Sequence, residues 1–214
     1  MEGVSWFHFS AICLAIREHT TTLCMEVLEI AALKGITISI NLNHRPKLWK
    51  WGKLPHEVMP ALLNYCDVIM GNIWAADIML GTTFSKGIEA VDHNYVFLEK
   101  SRISSKAIAA QFPKCKIIAN TFRFEKDGAL SYSASLYVEN KFYQSAVYWL
   151  GTVVNKVGSG DCFMAGLIYG SYNKFIVQQT LEFAASAAFR KLFISGDATT
   201  VKAYQIIETV KNGK

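Results

Sequence analysis

The chain has 214 residues, 51% of them hydrophobic and 18% charged, with a formal net charge of +5. That much apolar material excludes an intrinsically disordered or collagen-like chain. The length suits one domain with a single core, and the modest positive charge fits an anionic small ligand as readily as a nucleic acid.

The predicted elements run in alternation. Residues 4–10 (VSWFHFS) are β-branched and aromatic and read as a strand. A helix follows over Thr20–Lys34, with Leu23, Val27, Ile30 and Ala31 on its buried face. Thr20 to Thr22 are its cap candidates, and Gly35 stands where a terminating glycine belongs. Residues 36–42 (ITISINL) form a continuous apolar strand, the pattern of a sheet covered on both faces. After a loop (NHRPKLWKWGKL), Pro55–Tyr65 reads as a helix opened by proline and 67–72 (DVIMGN) as a strand. Ile73–Leu80 and Arg102–Phe112 read as helices and 116–120 as a strand. From Thr121 to Leu150 the style changes to short strands with Gly128 and Asn140 as turn residues, which predicts antiparallel hairpins. Gly158–Gly170, Val177–Phe193 and Thr200–Lys211 close the chain as helices. Strands alternating with helices predict an α/β fold with a mostly parallel sheet, helices on both of its faces, and one domain over 1–214.

Five cysteines (13, 24, 66, 115 and 162) form no C-x-x-C pair, which argues against structural zinc and a disulfide framework. The five histidines show no metal-binding spacing. No segment is long and apolar enough to span a bilayer, and the first residues lack a basic leader, so a cytoplasmic protein without a membrane partner is expected.

The stretch that carries chemistry is Val154–Gly166 (VNKVGSGDCFMAG). Gly158, Ser159 and Gly160 lead into a helix that begins near Asp161. Small residues let backbone N–H groups converge there, and the helix dipole adds partial positive charge, so the turn can cradle a phosphate. Asp161 places a carboxylate at the same point, where it can take the proton of an attacking hydroxyl. The plainer reading is a helix cap with a flexible lead-in. It is not a Walker A loop, because no Gly-Lys-Ser/Thr follows.

Gly158–Asp161 with Phe163 and Gly166 resembles the C-terminal signature of the ribokinase-like (PfkB) carbohydrate kinases, D-x-x-G-A/G-G-D-x-F-x-x-G. Residues 4–12, 41–49 (NLNHRPKLW), 57–72 and 166–170 are similar to the 2-keto-3-deoxygluconate kinase branch. The resemblance implies a three-layer α/β/α ribokinase-like fold and an ATP- and Mg²⁺-dependent kinase that phosphorylates a hydroxyl of a sugar acid. It implies Asp161 as catalytic base and Gly158, Ser159 and Gly160 as the anion hole. Arg45 and Asn43 then bind the acidic sugar, where a guanidinium can grip a carboxylate bidentately. Asp197 approaches substrate hydroxyls, Thr121 and Arg123 lie on the nucleotide side, and the helix over Ala184–Arg190 borders the adenine. Each has a bland alternative. Arg45 sits in a basic loop with two tryptophans that could be solvated surface or, more remotely, a stacking platform for single-stranded nucleic acid. Asp197 could cap the next helix, and Arg123 could be an ordinary surface charge.

The chain departs from the family pattern in several places. Nothing matches the N-terminal strands, Gly-Gly motif and β-lid, so the chain is expected to hold the nucleotide-binding two-thirds of the fold. Asn155 replaces the leading aspartate of the signature, near a monovalent-cation site in relatives, and so weakens that site. The family's N-x-x-E segment reads Asn72-Ile73-Trp74-Ala75, leaving Asn72 as the one candidate there for metal handling, and Asn41 stands where the family has aspartate. These departures carry a second reading, a truncated and catalytically impaired relative that binds nucleotide or pairs with a second copy through an open sheet edge.

Overall fold

A computed structural model describes residues 1–86, 94–126, 129–150 and 152–211. The chain divides into two compact units, Met1–Asn120 with Tyr137–Lys141, and Thr121–Leu136 with Phe142–Lys214.

In the first unit, four strands lie parallel in the order β1 (Trp6–Ser10), β2 (Thr37–Asn41), β3 (Val68–Gly71) and the opening of β4 (Ile117–Lys126). The register pairs Ser10 with Asn41, Asn41 with Met70 and Met70 with Ala119. Helices α1 (Glu18–Leu33) and α2 (Pro55–Leu63) separate the first three strands, and α3 (Ile73–Leu80) and α4 (Asn94–Gln111) lie between β3 and β4; α4 begins well before the expected Arg102. Ile38, Ser39 and Ile40 of β2 are fully buried, which is why that strand reads as unbroken apolar sequence. Asp67 ties the strand beginnings together. Its Oδ2 accepts the Ile38 amide at 2.9 Å and the Lys114 ammonium at 3.0 Å.

Helix α1 differs from expectation at its start and in its buried face. It begins at Glu18 with Arg17 as a cap residue that makes no side-chain bond, so Thr20–Thr22 lie inside the first turns. Leu28 and Ala31 are the buried residues, whereas Leu23 and Ile30 are 52% and 47% exposed. The helix carries two apolar stripes, and packing selects one of them; periodicity alone cannot choose. Its end is as read, with Gly35 at φ +66°. Helix α2 starts on Pro55, with the Leu54 amide donating to Glu57 Oε2 at 2.6 Å.

In the second unit, the remainder of β4 is followed by β5 (Ala129–Val138), and β7 (Tyr148–Leu150) pairs antiparallel with β5 through Leu130–Leu150 and Tyr132–Tyr148. β5 turns into β6 (Lys141–Gln144) at Glu139 and Asn140, residues counted with the first unit, whose φ values of 50° and 62° are those of a two-residue hairpin turn. Asn140 is therefore the turn residue predicted, while Gly128 lies outside the described residues. β6 and β7 are separated at Ser145, whose hydroxyl accepts the Ala134 amide and donates to the Ala146 carbonyl.

Helices α5 (Ser159–Tyr172), α6 (Val177–Lys191) and α7 (Ala203–Lys211) complete this unit. α5 and α6 approach so closely that a Cβ on Gly166 would lie 2.6 Å from Ala184 Cα. The glycine of the signature is therefore an interhelical contact. Phe163 is fully buried, and Tyr169 stacks on Phe183 at 4.9 Å. Phe183 and Ala187 of α6 share a small core with Ile206 of α7.

Candidate active site

The Gly158 turn is built by the entry into α5. Gly158 is the N-cap at φ +80°, a left-handed conformation that glycine adopts without strain. The Cys162 amide makes the first helical bond, to Gly158 O at 2.9 Å. The amides of Ser159, Gly160 and Asp161 precede it and so occupy the positions that an α-helix leaves without intrahelical partners. N–H groups without intrahelical partners at a helix N-terminus are suited to an anion. Ser159 contributes its backbone only, because its buried hydroxyl donates to Ala188 O at 3.1 Å and pins α5 to α6. The Asp161 side chain, in the same turn, is exposed. An exposed carboxylate and a set of amides without intrahelical partners therefore share one turn.

The loop after α6 closes over Gly158. A Cβ at Gly158 would stand 2.0 Å from the Asp197 carbonyl oxygen and 3.3 Å from Lys191 Cε. Asp197 thus reaches the turn by its backbone, and its side chain is exposed. It does not cap the next helix, which starts six residues later at Ala203. Asn155 spans the same turn, with Nδ2 donating to Ser195 O at 2.7 Å and Oδ1 accepting the Val157 amide at 2.9 Å. Burial pushes the Cys162 thiol up, opposed by the nearby Lys191 ammonium, so Cys162 is an inert core thiol.

Thr121 and Arg123 alternate along β4 with Phe122 and Phe124, which stack on each other at 6.4 Å. Thr121 and Arg123 therefore share the other face. Arg123 is exposed, and its charge acts on the buried Tyr132 of β5. Burial raises the Tyr132 phenol, with Arg123, Cys162 and Ser159 among its neighbours. Arg123 and the α5 turn consequently share one neighbourhood inside the second unit. A separate cleft of about 690 Å³ in this unit is lined by Phe189, Arg190, Phe193, Val201 and Gln205. It includes the end of the Ala184–Arg190 segment but none of the turn.

The sugar-side candidates belong to the first unit. Asn41 ends β2, and Asn43 and Arg45 follow it, at the carboxyl end of the parallel strands where α/β folds place ligands. Asn41 is buried, Asn43 partly so, and its amide donates to Asn41 O at 2.8 Å. Arg45 is exposed, and its Nη1 donates to the His44 carbonyl at 3.0 Å. Burial, then the Arg45 charge, lowers the His44 pKa. Trp51 anchors the loop by donating to Leu14 O at 3.0 Å, and Trp49 stacks on Trp51 at 6.2 Å. The two tryptophans hold the loop while its cations remain solvated.

Asn72 is occupied as a helix cap, its Oδ1 accepting the Ala75 amide at 2.7 Å. Asp77 is occupied as well. Its carboxylate accepts the Thr82 hydroxyl at 2.5 Å, the Phe84 amide at 2.9 Å and the Ser85 amide at 2.6 Å. Asn72 Oδ1 and both Asp77 carboxylate oxygens are thus engaged by N–H and O–H donors of the chain itself. Burial raises the Asp77 pKa, but the hydrogen bonds from Ser85, Thr82 and Phe84 outweigh it and the net shift is downward. A depressed carboxylate stabilises the fold above its unfolded value, about 3.9, and that support is lost as pH falls through the folded value. Asp77→Asn cannot accept all three bonds and is expected to cost about 1–3 kcal/mol at neutral pH. The loss should shrink toward pH 3 in urea melts of variant and wild type followed across pH; a pH-independent loss would rule out the carboxylate as its source.

The sequence reading missed Lys191, which lies at the end of α6 and is fully buried. A lysine in a last helical turn reads as a solvated cap, and its spacing gives no other signal.

No family model matches the chain. The 5-dehydro-2-deoxygluconokinase of Geobacillus kaustophilus is 24% identical over 193 residues, covering 87% of this chain and 50% of that protein. The crystal structure of 2-dehydro-3-deoxygluconokinase from Thermotoga maritima superposes with a TM-score of 0.85 at 27% identity, over 98% of this chain and 60% of that one. A putative ribokinase II from E. coli, solved with ATP and Mg²⁺, shares the fold at 17% identity with a TM-score of 0.69, over 98% of this chain and 59% of that one. The chain thus spans about half to three-fifths of the length of these relatives. The chain is thus similar to deoxygluconokinases in both sequence and structure, and it shares its fold with a PfkB family carbohydrate kinase from Listeria grayi.

Proposed function

We propose that the chain carries the phosphoryl-transfer centre of an ATP-dependent kinase acting on a hydroxyl of a sugar acid of the dehydro-deoxygluconate type. The observation that supports it best is the exposed Asp161 beside the amides of Ser159 and Gly160, which lack intrahelical partners. In this reading the amides of the Gly158–Gly160 turn hold the negative charge that develops on the migrating phosphoryl group. Asp161 accepts the proton of the sugar hydroxyl as it attacks. Thr121 and Arg123 lie on the nucleotide side, and Arg45 and Asn43 supply the loop that meets the acidic sugar. Asp197 contributes its backbone to the turn. Bound Mg²⁺ would neutralise the nucleotide phosphates, held by those phosphates and not by Asn72 or Asp77.

The relatives differ in whether the keto group stands at position 2 or 5 of the deoxygluconate, so both compounds are the substrates to test. A coupled assay of ADP release with each sugar acid, and with ribose as control, should show turnover on one of the acids and none on ribose. ADP release equal to the sugar-free background on both acids would reject the reading.

A further inference from the structure

We propose that the ammonium of Lys191 is a built-in cation that supports the Gly158 turn, in place of a bound monovalent metal ion. The inference rests on reading that turn as a phosphate site. Lys191 is fully buried, and its Nζ donates to the Ile194 carbonyl at 3.1 Å. No carboxylate among the described residues forms an ion pair with it. A buried charge without a counter-charge is costly, and a fold that retains one gains when an anion arrives nearby. The side chain lies against the turn, with Cε 3.3 Å from the position a Gly158 Cβ would take. The amides that follow Gly158 lack intrahelical partners, and the lysine packs against the same glycine.

The neighbouring oxygens are already claimed by N–H donors. Ile194 O accepts from Lys191, and the next carbonyl, Ser195 O, accepts from Asn155 Nδ2 at 2.7 Å. A monovalent metal ion needs convergent oxygens, and here an amide N–H and an ammonium point at two consecutive ones. The donor set therefore does not fit the metal ion that the resemblance implies near Asn155. Asn155 and Lys191 act together, because an aspartate at 155 could not donate to Ser195 O. A plain capping role for Lys191 at the end of α6 would explain its bond to Ile194, but not its complete burial against Gly158.

Thermal melts and calorimetry with MgADP, in KCl and in tetramethylammonium chloride at equal ionic strength, test this. Wild type should melt within about 1 °C in the two salts and bind MgADP equally within about twofold. Lys191→Met, which keeps the volume and removes the charge, should bind MgADP at least about tenfold more weakly in tetramethylammonium and recover part of that in K⁺. A K⁺-specific rise in the wild-type melting temperature of several degrees overturns the proposal, and this reading stands even where the variant does not fold. A folded Lys191→Met that binds MgADP as tightly as wild type also overturns it. Wild type that binds no MgADP in either salt rejects the phosphate-site reading instead, while the melts still decide whether a metal ion is used.

Discussion

Asp161→Asn is expected to lower kcat for sugar phosphorylation by about 10²–10⁴-fold while leaving the affinity for MgADP within about threefold of wild type. The substitution keeps the shape of the side chain and its place in the first turn of α5, but an amide cannot take the hydroxyl proton. The amides of the turn remain, so under the proposed function nucleotide phosphates would still be held. Replacing an acidic residue in a first helical turn removes a favourable interaction with the dipole, worth about 0.3–1 kcal/mol. The fold should therefore lose little stability, and melts of the two proteins separate a chemical loss from an unfolding one. Because the carboxylate is exposed, no packed neighbour is disturbed. Steady-state ADP release, with calorimetry on the same preparations, measures both quantities. A variant that turns over at the wild-type rate removes Asp161 from the chemistry, and one that loses turnover and MgADP binding together makes it a structural residue of the turn.

Much of the candidate site's geometry was legible because it depends on local backbone. A glycine in a left-handed conformation, a second small residue and a carboxylate one turn into a helix leave a signature four residues long, Gly158–Asp161. The parallel strands were legible for a similar reason, since burial on both faces makes Ile38–Ile40 continuous. What the sequence could not convey depends on contacts between distant segments. Lys191 looks like any cationic helix end until α6 and the loop after it bury it behind Gly158. The roles of Asn72 and Asp77 depend on which backbone amides they meet, and these use up the oxygens that a reading by residue type leaves available. The buried face of α1 was misread because Leu23 and Ile30 are as apolar as Leu28, and only packing distinguishes them.

Gly158→Ala should be among the most damaging single substitutions in the chain, for two separable reasons. The residue sits at φ +80°, where an L side chain costs about 1–2 kcal/mol. The added methyl would also stand 2.0 Å from the Asp197 carbonyl oxygen, backbone that can yield only if the 195–197 loop moves. Overpacking of this kind adds about 1–3 kcal/mol. The sum, about 2–5 kcal/mol, corresponds to a fall in melting temperature of roughly 5–15 °C for a chain of this size. Two controls isolate the contributions. Gly35→Ala shares the left-handed φ, at +66°, and meets nothing within 4 Å, so it should show the conformational cost alone. Gly196→Ala, in the loop itself, has its nearest neighbour at 3.9 Å and no positive φ, and should be close to neutral. If Gly158→Ala costs no more than Gly35→Ala in melts, the loop after α6 does not press on the turn. The consequence reaches function through the same contact, because displacing Asp197 and its neighbours carries the Ile194 and Ser195 carbonyls away from Lys191 and Asn155. MgADP affinity should then fall in Gly158→Ala and be unchanged in both controls, which links the geometry of a single glycine to the charge arranged behind it.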